Sequence, residues 1–198
     1  MAETVTRRSR ITSEREAELY GAVLDLLREV GYDALTMGAV ATRTRSSKAT
    51  LYRLWGGKAA LVAKAMRFNK RGSIADIDTG SLRGDLHTLV LREDDGAMEQ
   101  NAELMRGLFM AVHANPDLLQ AFREFFIDLE LQEFHRVVQR AADRGEVRAD
   151  NPAIEYVVHM ILGCFITRML LDERPPTQDF LRSYIDAVIL PVLGVRIH

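Results

Sequence analysis

Apolar residues recur every three to four positions along most of the chain, and no alternating apolar–polar run of the β type persists. Glycine and proline fall between the periodic segments. The first apolar stripe begins near Ser13 and ends before Gly31, which stands where a C-terminal cap is expected. Its members are Leu19, Val23, Leu26, Leu27 and Val30. The pattern predicts an all-α protein of about nine helices.

Helix-capping residues and a loop-forming stretch between these stripes predict two regions. Thr36 and Ser47 are expected to cap two short helices, and a longer helix is expected from Lys58 to about Arg71. The stretch 72–81, rich in Gly, Asp and Ser, separates them from five further helices. These are expected at 82–93, 98–114, 116–144, 152–172 and 177–193. We therefore divide the chain into a flexible basic arm (1–11), a three-helix helix-turn-helix domain (12–72, motif 36–55) and a C-terminal helical bundle (73–198).

Charge is distributed unevenly between the two regions. Residues 1–72 hold 14 Lys/Arg and 7 Asp/Glu, whereas residues 73–198 hold 12 and 21. A basic N-terminal part on an otherwise acidic chain is typical of a domain that binds a polyanion such as double-stranded DNA. Chance clustering of solvated charges is the alternative that this count leaves open.

The second short helix has an inner and an outer face. If Leu51 points inward, steps of about 100° per residue place Ala49 and Arg53 on the opposite side, flanked by Thr50 and Tyr52. Small, hydroxyl, aromatic and cationic groups on such a helix suit the major groove of DNA. Leu54 and Trp55 are expected to return to the core.

At this segment the sequence resembles the TetR family of bacterial regulators, over about residues 12–72. The family pattern of a small-residue helix, a turn and a Ser-Lys-x-Thr-Leu-Tyr-x-x-Phe/Trp segment, followed by a helix-opening lysine, is met by Ser47, Lys48, Thr50, Leu51, Tyr52, Trp55 and Lys58. The resemblance implies base or phosphate contacts at the recognition helix and backbone contacts at Thr36 and Lys58. The full set of expected DNA-binding residues is Thr36, Arg45, Ser47, Lys48, Ala49, Thr50, Tyr52, Arg53 and Lys58.

The turn of the motif departs from the family pattern. Where the family usually has Gly-Val, this chain has Arg45 and Ser46. We expect Arg45 to adopt a positive φ at a small conformational cost and to add a cation facing DNA. Ser46 is expected to weaken the small core or to shift the turn. Core packing of Tyr52 and solvated positions for Arg53 and Lys58 remain alternatives to DNA contacts.

The resemblance implies that the C-terminal region serves dimerisation and ligand sensing. The last two helices are apolar on most faces, which favours a two-fold four-helix interface. The expected interface residues are Ile161, Phe165, Met169, Ile185, Ile189 and Val192. A fully internal helix is the alternative.

A pocket for an apolar or aromatic small molecule is expected among the middle helices. Its expected lining is Met105, Phe109, His113, Phe122, Phe126, His159 and Cys164. Plain core packing is the alternative for each of these residues.

Other chemistry finds little support. The five histidines lack metal-site spacing, and Glu155 and His159 alone would be two ligands. Cys164 is the single cysteine, so no internal disulfide can form, which fits a reducing compartment. It lies in an apolar run, which indicates an inert thiol. We expect no enzyme activity, no cofactor, no metal, no membrane span and no secretory signal, hence a cytoplasmic protein. The sequence predicts a dimeric, ligand-released repressor of a near-palindromic operator; an architectural DNA-binding protein and a helical ligand-binding protein with a vestigial helix-turn-helix are the alternatives.

Overall fold

A computed structural model describes residues 12–69 and 72–196, and this part of the chain contains helices and no strand. The all-α prediction is therefore confirmed. The chain divides into two compact units, Met1–Asn69 and Lys70–His198. The expected basic arm 1–11 lies outside the described residues.

The first unit consists of four helices, each of which begins where the sequence predicted. They are α1 (Ser13–Ala34), α2 (Met37–Arg43), α3 (Lys48–Trp55) and α4 (Lys58–Asn69). Within α1 the helical geometry breaks at Gly31, which has a φ of 74°. Glycine adopts this positive φ without steric strain because it has no Cβ atom. The prediction that Val30 joins the buried stripe is wrong, because that side chain is 47% exposed at the end of the regular part of α1.

The second unit adds five further helices within the described residues. Two of them are regular, α5 (Leu82–Val90) and α6 (Asp95–Ala114). Helix α7 spans 116–143 and contains one π turn, Arg123–Ile127, between Pro116–Phe122 and Asp128–Asp143. Helix α8 starts with the 3₁₀ turn Pro152–Tyr156 and continues as Val157–Leu171. Helix α9 spans 178–192 as Gln178–Tyr184, the π turn Ile185–Ile189 and Leu190–Val192.

Polar side chains in the second unit hold the segment that precedes α5. Asp85 is fully buried and accepts hydrogen bonds from the backbone nitrogen (2.6 Å) and hydroxyl (2.8 Å) of Thr79. Buried Glu133 of α7 accepts from the backbone nitrogen of Ile74 at 3.1 Å. Arg140, two turns further along the same face of α7, donates to the carbonyl of Ala75 at 2.7 Å. The segment is thus fixed by charge-assisted hydrogen bonds as well as by its buried isoleucines.

Helix α8 is unusually apolar and only slightly buried. Over Pro152–Leu171 its mean hydropathy is 1.6, and 11% of that window is buried. By length and composition it is therefore long and apolar enough to cross a membrane, contrary to our expectation that no segment would be. One such helix does not by itself indicate a membrane protein, because helices that are covered by protein have the same composition.

Candidate DNA interface and internal cavity

Helix α3 is fastened to its unit by one apolar face. Leu51 is fully buried and Trp55 is 5% exposed. The indole Nε1 of Trp55 donates to the hydroxyl of Tyr20 on α1 at 2.9 Å, and that hydroxyl donates to Glu16 at 2.9 Å. Burial raises the pKa of Tyr20 to about 12, so the hydroxyl keeps its proton. The expectation that Trp55 belongs to the core agrees with these contacts.

The opposite face of α3 points away from this core. Lys48, Ala49 and Arg53 are exposed, and Tyr52 is 51% exposed. Thr50 is half-buried, with its hydroxyl 2.9 Å from that of Ser47. The core alternative for Tyr52 is therefore not what the structure shows. We call Lys48, Ala49, Thr50, Tyr52 and Arg53 the outer face of α3.

Two of the predicted caps form as expected at helix N-termini. The hydroxyl of Ser47 accepts from the backbone nitrogen of Thr50 at 3.0 Å, and that of Thr36 accepts from Ala39 at 3.1 Å. Each cap satisfies one of the orphan N–H groups of its helix, and the remaining ones are available to an anion.

Lys58 takes a position that the sequence did not suggest. Its ammonium donates to the carbonyl of Tyr32 at 2.9 Å and lies 4.1 Å from the centre of the Tyr32 ring. Lys58 therefore ties the start of α4 to the end of α1. A phosphate contact at this residue would have to share the ammonium with these two partners.

The turn between α2 and α3 has the strained residue that the sequence predicted. Arg45 has φ 50°, in the left-handed region that favours glycine. The backbone nitrogen of Ser46 donates to the carbonyl of Ala41 at 2.9 Å, which closes the end of α2.

A side chain of α1 supports this turn, and sequence reasoning missed it. The guanidinium of Arg15 donates to the carbonyl of Thr44 and lies 3.4 Å from the hydroxyl of Ser46. Thr44 itself is buried, and its hydroxyl donates to the carbonyl of Val40 at 2.8 Å. These hydrogen bonds fix the turn where the family's valine would pack. Arg15 precedes Thr44 by 29 residues, and no local pattern in the sequence links this arginine to the turn.

Gly38 is a second residue that the sequence analysis missed. A Cβ placed on it would lie 2.9 Å from Cε and 3.2 Å from Nζ of Lys48. The side chain of Lys48 therefore crosses α2 at the one position where no side chain obstructs it. Gly38 thereby helps to set the direction in which the first cation of α3 points.

Charges around α3 differ in how they are compensated. Arg43 makes two hydrogen bonds to Glu29, at 3.1 and 2.7 Å, which lowers the pKa of that carboxyl. Arg45, Lys48 and Arg53 form no ion pair with any described residue. The surface that contains the turn and the outer face of α3 is therefore positively charged, as contact with phosphates requires.

A partly open cavity of about 230 Å³ lies in the second unit, between α5, α6, α8 and α9. Apolar side chains form most of its wall, including Leu86 of α5, Ala102 of α6 and Leu181 of α9. Arg92, Glu93 and Asn101 supply polar groups in the wall.

The predicted pocket residues divide between this cavity and other places. Met105 and Cys164 line it. Phe122 is buried in α7 and stacks on Phe126 at 4.9 Å between ring centres, and Phe109 is half-buried elsewhere on α6. His113 and His159 are exposed, and the ring of His159 makes its hydrogen bond with the carbonyl of Glu155, at 3.2 Å. The prediction that Phe109, His113, Phe122, Phe126 and His159 line the cavity is therefore wrong. Helix α7 contributes nothing to the wall, both histidines face outward, and Phe109 lies on another part of α6.

The predicted interface residues need a similar correction. Ile161, Phe165 and Ile185 line the cavity, and Ile189 has no exposed surface to offer to a partner. These four pack in the apolar core of their own subunit. Of the other two, Met169 is half-buried and Val192 is 42% exposed. The apolar residues that α8 exposes are instead Tyr156, Leu162, Ile166, Leu170 and Leu171.

Alternative chemistry finds no cluster in the part of the chain that the structure describes. No three His, Cys, Asp or Glu residues there are grouped as metal ligands. Burial raises the pKa of the Cys164 thiol to about 11, which disfavours the reactive thiolate.

Comparison with known proteins agrees with this geometry. Residues 20–65 match the family model described as bacterial regulatory proteins of the tetR family, and residues 76–188 match the tetracyclin repressor-like C-terminal domain. An uncharacterized HTH-type transcriptional regulator of Mycobacterium tuberculosis is 39% identical over 184 residues, which cover 91% of this chain and 89% of the relative.

Two further similarities cover nearly the whole chain. The DNA-binding transcriptional repressor TetR of Mycobacteroides abscessus is 29% identical over 90% of this chain and 94% of its own length. The crystal structure of the TetR family transcription regulator SCO0332 superposes with a TM-score of 0.71 at 25% identity, covering 93% of this chain and all of that one.

The four-helix first unit with its exposed α3, followed by a larger helical unit, defines a helix-turn-helix transcriptional regulator. Within that class, the chain belongs to the TetR family. Proteins of this family bind DNA, function as dimers and often bind small molecules.

Proposed function

We propose that the protein is a dimeric repressor that binds a near-palindromic operator through the outer face of α3. The observation that carries this proposal is the exposure of that face on a helix whose inner face is locked by Leu51 and Trp55. A helix held in this way is already ordered, so it enters the major groove, which is about 12 Å wide, without a further entropic cost of ordering. Repression is supported by the name of the Mycobacteroides abscessus relative.

Each residue near the interface has a distinct role in this proposal. Lys48 donates to a guanine, the methyl group of Ala49 contacts a thymine methyl, and Tyr52 and Arg53 contact bases or adjacent phosphates. Phosphates are held by Arg45, by Lys58 and by the helix N-termini that Thr36 and Ser47 cap. Thr50, next to the N-terminus of α3, contacts a base or an adjacent phosphate.

The dimer forms, in this proposal, through the exposed apolar residues of α8. Leu170 and Leu171 are 74% and 80% exposed, and Ile166 and Leu162 continue the same surface toward the N-terminus of the helix. Contiguous apolar surface of this kind is rare on monomeric proteins and marks an interface. Two copies related by a two-fold axis would cover it and would present two copies of α3 to half-sites about 34 Å apart.

Regulation follows from the cavity. A small molecule bound between α5, α6, α8 and α9 would select an arrangement of these helices that fits the operator poorly, and the dimer would leave the DNA. The protein would act in the cytoplasm, where the chromosome is.

The DNA proposal is tested with an operator selected from a randomised duplex library by the purified full-length protein. Tyr52→Ala is expected to reduce the affinity for this duplex by about tenfold or more, because α3 loses the contact area of the ring and the hydroxyl that contacts a base edge or an adjacent phosphate. Arg28→Ala is the matched control, since Arg28 is paired with Asp25 on α1 at 3.1 Å. Equal affinity for selected and random duplexes would indicate an architectural protein, and no binding at low salt would indicate a vestigial domain.

The dimer proposal is tested by sedimentation equilibrium. Leu170→Glu is expected to convert a dimer into a monomer, because the carboxylate would be buried without a partner in the interface. Met110→Glu is the matched control, since Met110 is 75% exposed on α6. A dimer that survives Leu170→Glu as well as it survives Met110→Glu contradicts the proposed interface.

A further inference from the structure

The volume of the cavity in the second unit, its apolar wall and the carboxylate at its edge together indicate the chemical class of its ligand. We propose that it binds a protonated amine whose apolar body is about as large as two fused aromatic rings, with the ammonium group placed against Glu93. The proposal rests on the regulation proposed above and adds the chemical class of the effector.

The volume sets the size of the ligand body. Protein interiors are packed to the density of organic crystals, so an apolar void of about 230 Å³ is larger than close packing leaves by accident. An apolar cavity of about 150 Å³ is known to hold a benzene molecule. The cavity here is half as large again, which matches a bicyclic aromatic body.

The wall excludes a ligand that is polar throughout. Leu86, Ala102, Ile161, Phe165 and Leu181 have no polar side-chain atom. Tyr184 also lines the cavity, and its hydroxyl already donates to the carbonyl of Met160, at 3.3 Å.

Among the residues that the structure describes, Glu93 provides the one carboxylate of the wall, and its position is fixed from two sides. Its Oε2 accepts from Nδ2 of Asn101 at 2.9 Å, while its backbone carbonyl accepts from Nε2 of Gln178 at 2.8 Å. Its Oε1 has no hydrogen bond to any described residue. A half-buried carboxylate with an open oxygen at the edge of an apolar cavity accepts a donor, and a charged donor forms the stronger hydrogen bond.

Arg92 is the one cation that the described residues contribute to the wall, and the protein already engages it. Nη1 of Arg92 donates to the carbonyl of Ser73 at 2.9 Å, and a Cβ on Gly72 would lie 3.3 Å from the same atom. The guanidinium is therefore directed toward the segment that precedes α5. An anionic ligand at this end of the cavity would meet the negative charge of Glu93.

The same contact suggests how the ligand is sensed. Arg92 lines the cavity and at the same time holds the backbone at Ser73, at the start of the segment that leads into α5. A bound ammonium group would share the cavity wall with this guanidinium and would repel it. The ligand class that fits the cavity is thus also one that weakens the hold on that segment.

The test uses three ligands with one body, namely 1-naphthylmethylamine, 1-naphthalenemethanol and 1-naphthoic acid. Isothermal titration calorimetry with the full-length protein is expected to show the amine binding about tenfold or more tighter than the acid, with the alcohol between them. Glu93→Gln is expected to remove most of the preference for the amine. Glu99→Gln is the matched control, because Glu99 is an exposed carboxylate of α6 outside the cavity.

A second variant tests the location. Ala102→Leu fills part of the cavity and is expected to weaken the binding of all three ligands, while thermal unfolding followed by circular dichroism, which reports the helices of the second unit as well, checks that the fold is intact. Acid binding as tight as amine binding, no amine binding at millimolar concentration, or amine binding unchanged in both Glu93→Gln and Ala102→Leu overturns the proposal. The calorimetry contains no DNA, so failure of operator binding, as in Tyr52→Ala, leaves these outcomes unaffected.

Discussion

Arg45 carries both a strained backbone and a cation, and a set of three substitutions separates the two. Its φ of 50° costs an L-residue about 1–2 kcal/mol relative to the right-handed region. Glycine avoids that cost, but its more flexible unfolded chain loses about 0.5–1 kcal/mol more on folding. Arg45→Gly should therefore stabilise the first unit by about 0.5–1 kcal/mol relative to Arg45→Ala, which retains the strain.

The charge of Arg45 has a separate consequence for DNA binding. Each phosphate that a cation neutralises contributes about 0.9 to the slope of log affinity against log salt concentration. A dimer brings two copies of Arg45 to the duplex, so Arg45→Gly and Arg45→Ala should both flatten this slope by about 1.8. Arg45→Lys should retain the slope of the unsubstituted protein.

Two assays measure these effects independently. Trp55 is the one tryptophan of the chain and lies in the core of the first unit, so its fluorescence during urea unfolding reports the stability of that unit. Anisotropy of a labelled duplex over a salt series gives the slope. If Arg45→Gly were less stable than Arg45→Ala, the argument from backbone strain would be refuted. An unchanged slope in both variants would refute the phosphate contact.

Two further substitutions and one labelling experiment test other contacts. Gly38→Ala should displace the side chain of Lys48 and lower operator affinity, by no more than Lys48→Ala does, without lowering the urea midpoint of Trp55 fluorescence; unchanged operator affinity in Gly38→Ala, where Lys48→Ala shows a loss, would contradict the close approach. Tyr20→Phe should destabilise the first unit by about 1–3 kcal/mol, because the buried Trp55 N–H loses its acceptor. Because the pKa of Tyr20 is raised from 10.0 to about 12, its contribution is present below pH 10 and is lost as the pH rises toward 12, and Tyr20→Phe should remove that alkaline loss in the same assay. Cys164, with its pKa raised to about 11, should react with Ellman's reagent at pH 8 only as fast as the second unit opens, so rapid labelling of the folded protein would contradict its burial.

The first unit was predictable because its information is local. Helix caps at Thr36 and Ser47 and the inward position of Leu51 follow from residues within one or two turns, and the structure has them in those places. The support of the turn by Arg15 was not predictable in this way. A guanidinium can reach backbone carbonyls in many directions, and only the packing of α1 beside the turn decides which one it meets.

The second unit shows the limit of reading apolar stripes. Helices α8 and α9 carry apolar residues on most faces, so periodicity could not tell which of them face α5 and α6 and which face outward. Ile161 and Leu162 are neighbours in sequence, yet one lines the cavity and the other is exposed. Helix existence was correct, whereas the division into pocket, core and interface depended on the tertiary arrangement.

The buried acids of the second unit fix the position of α5, of α7 and of the segment that precedes α5. A buried carboxylate is costly unless each of its oxygens is matched by donors, so it tolerates few alternative positions. Asp85 and Glu133 find those donors on Thr79 and Ile74, and the guanidinium of Arg144 lies 3.4 Å from Asp85. Leucine-rich surfaces can slide past one another at little cost, but these pairs cannot. Sliding of α5 against α7 would leave an acid without its donors, so any movement of α5 must carry the segment before it along.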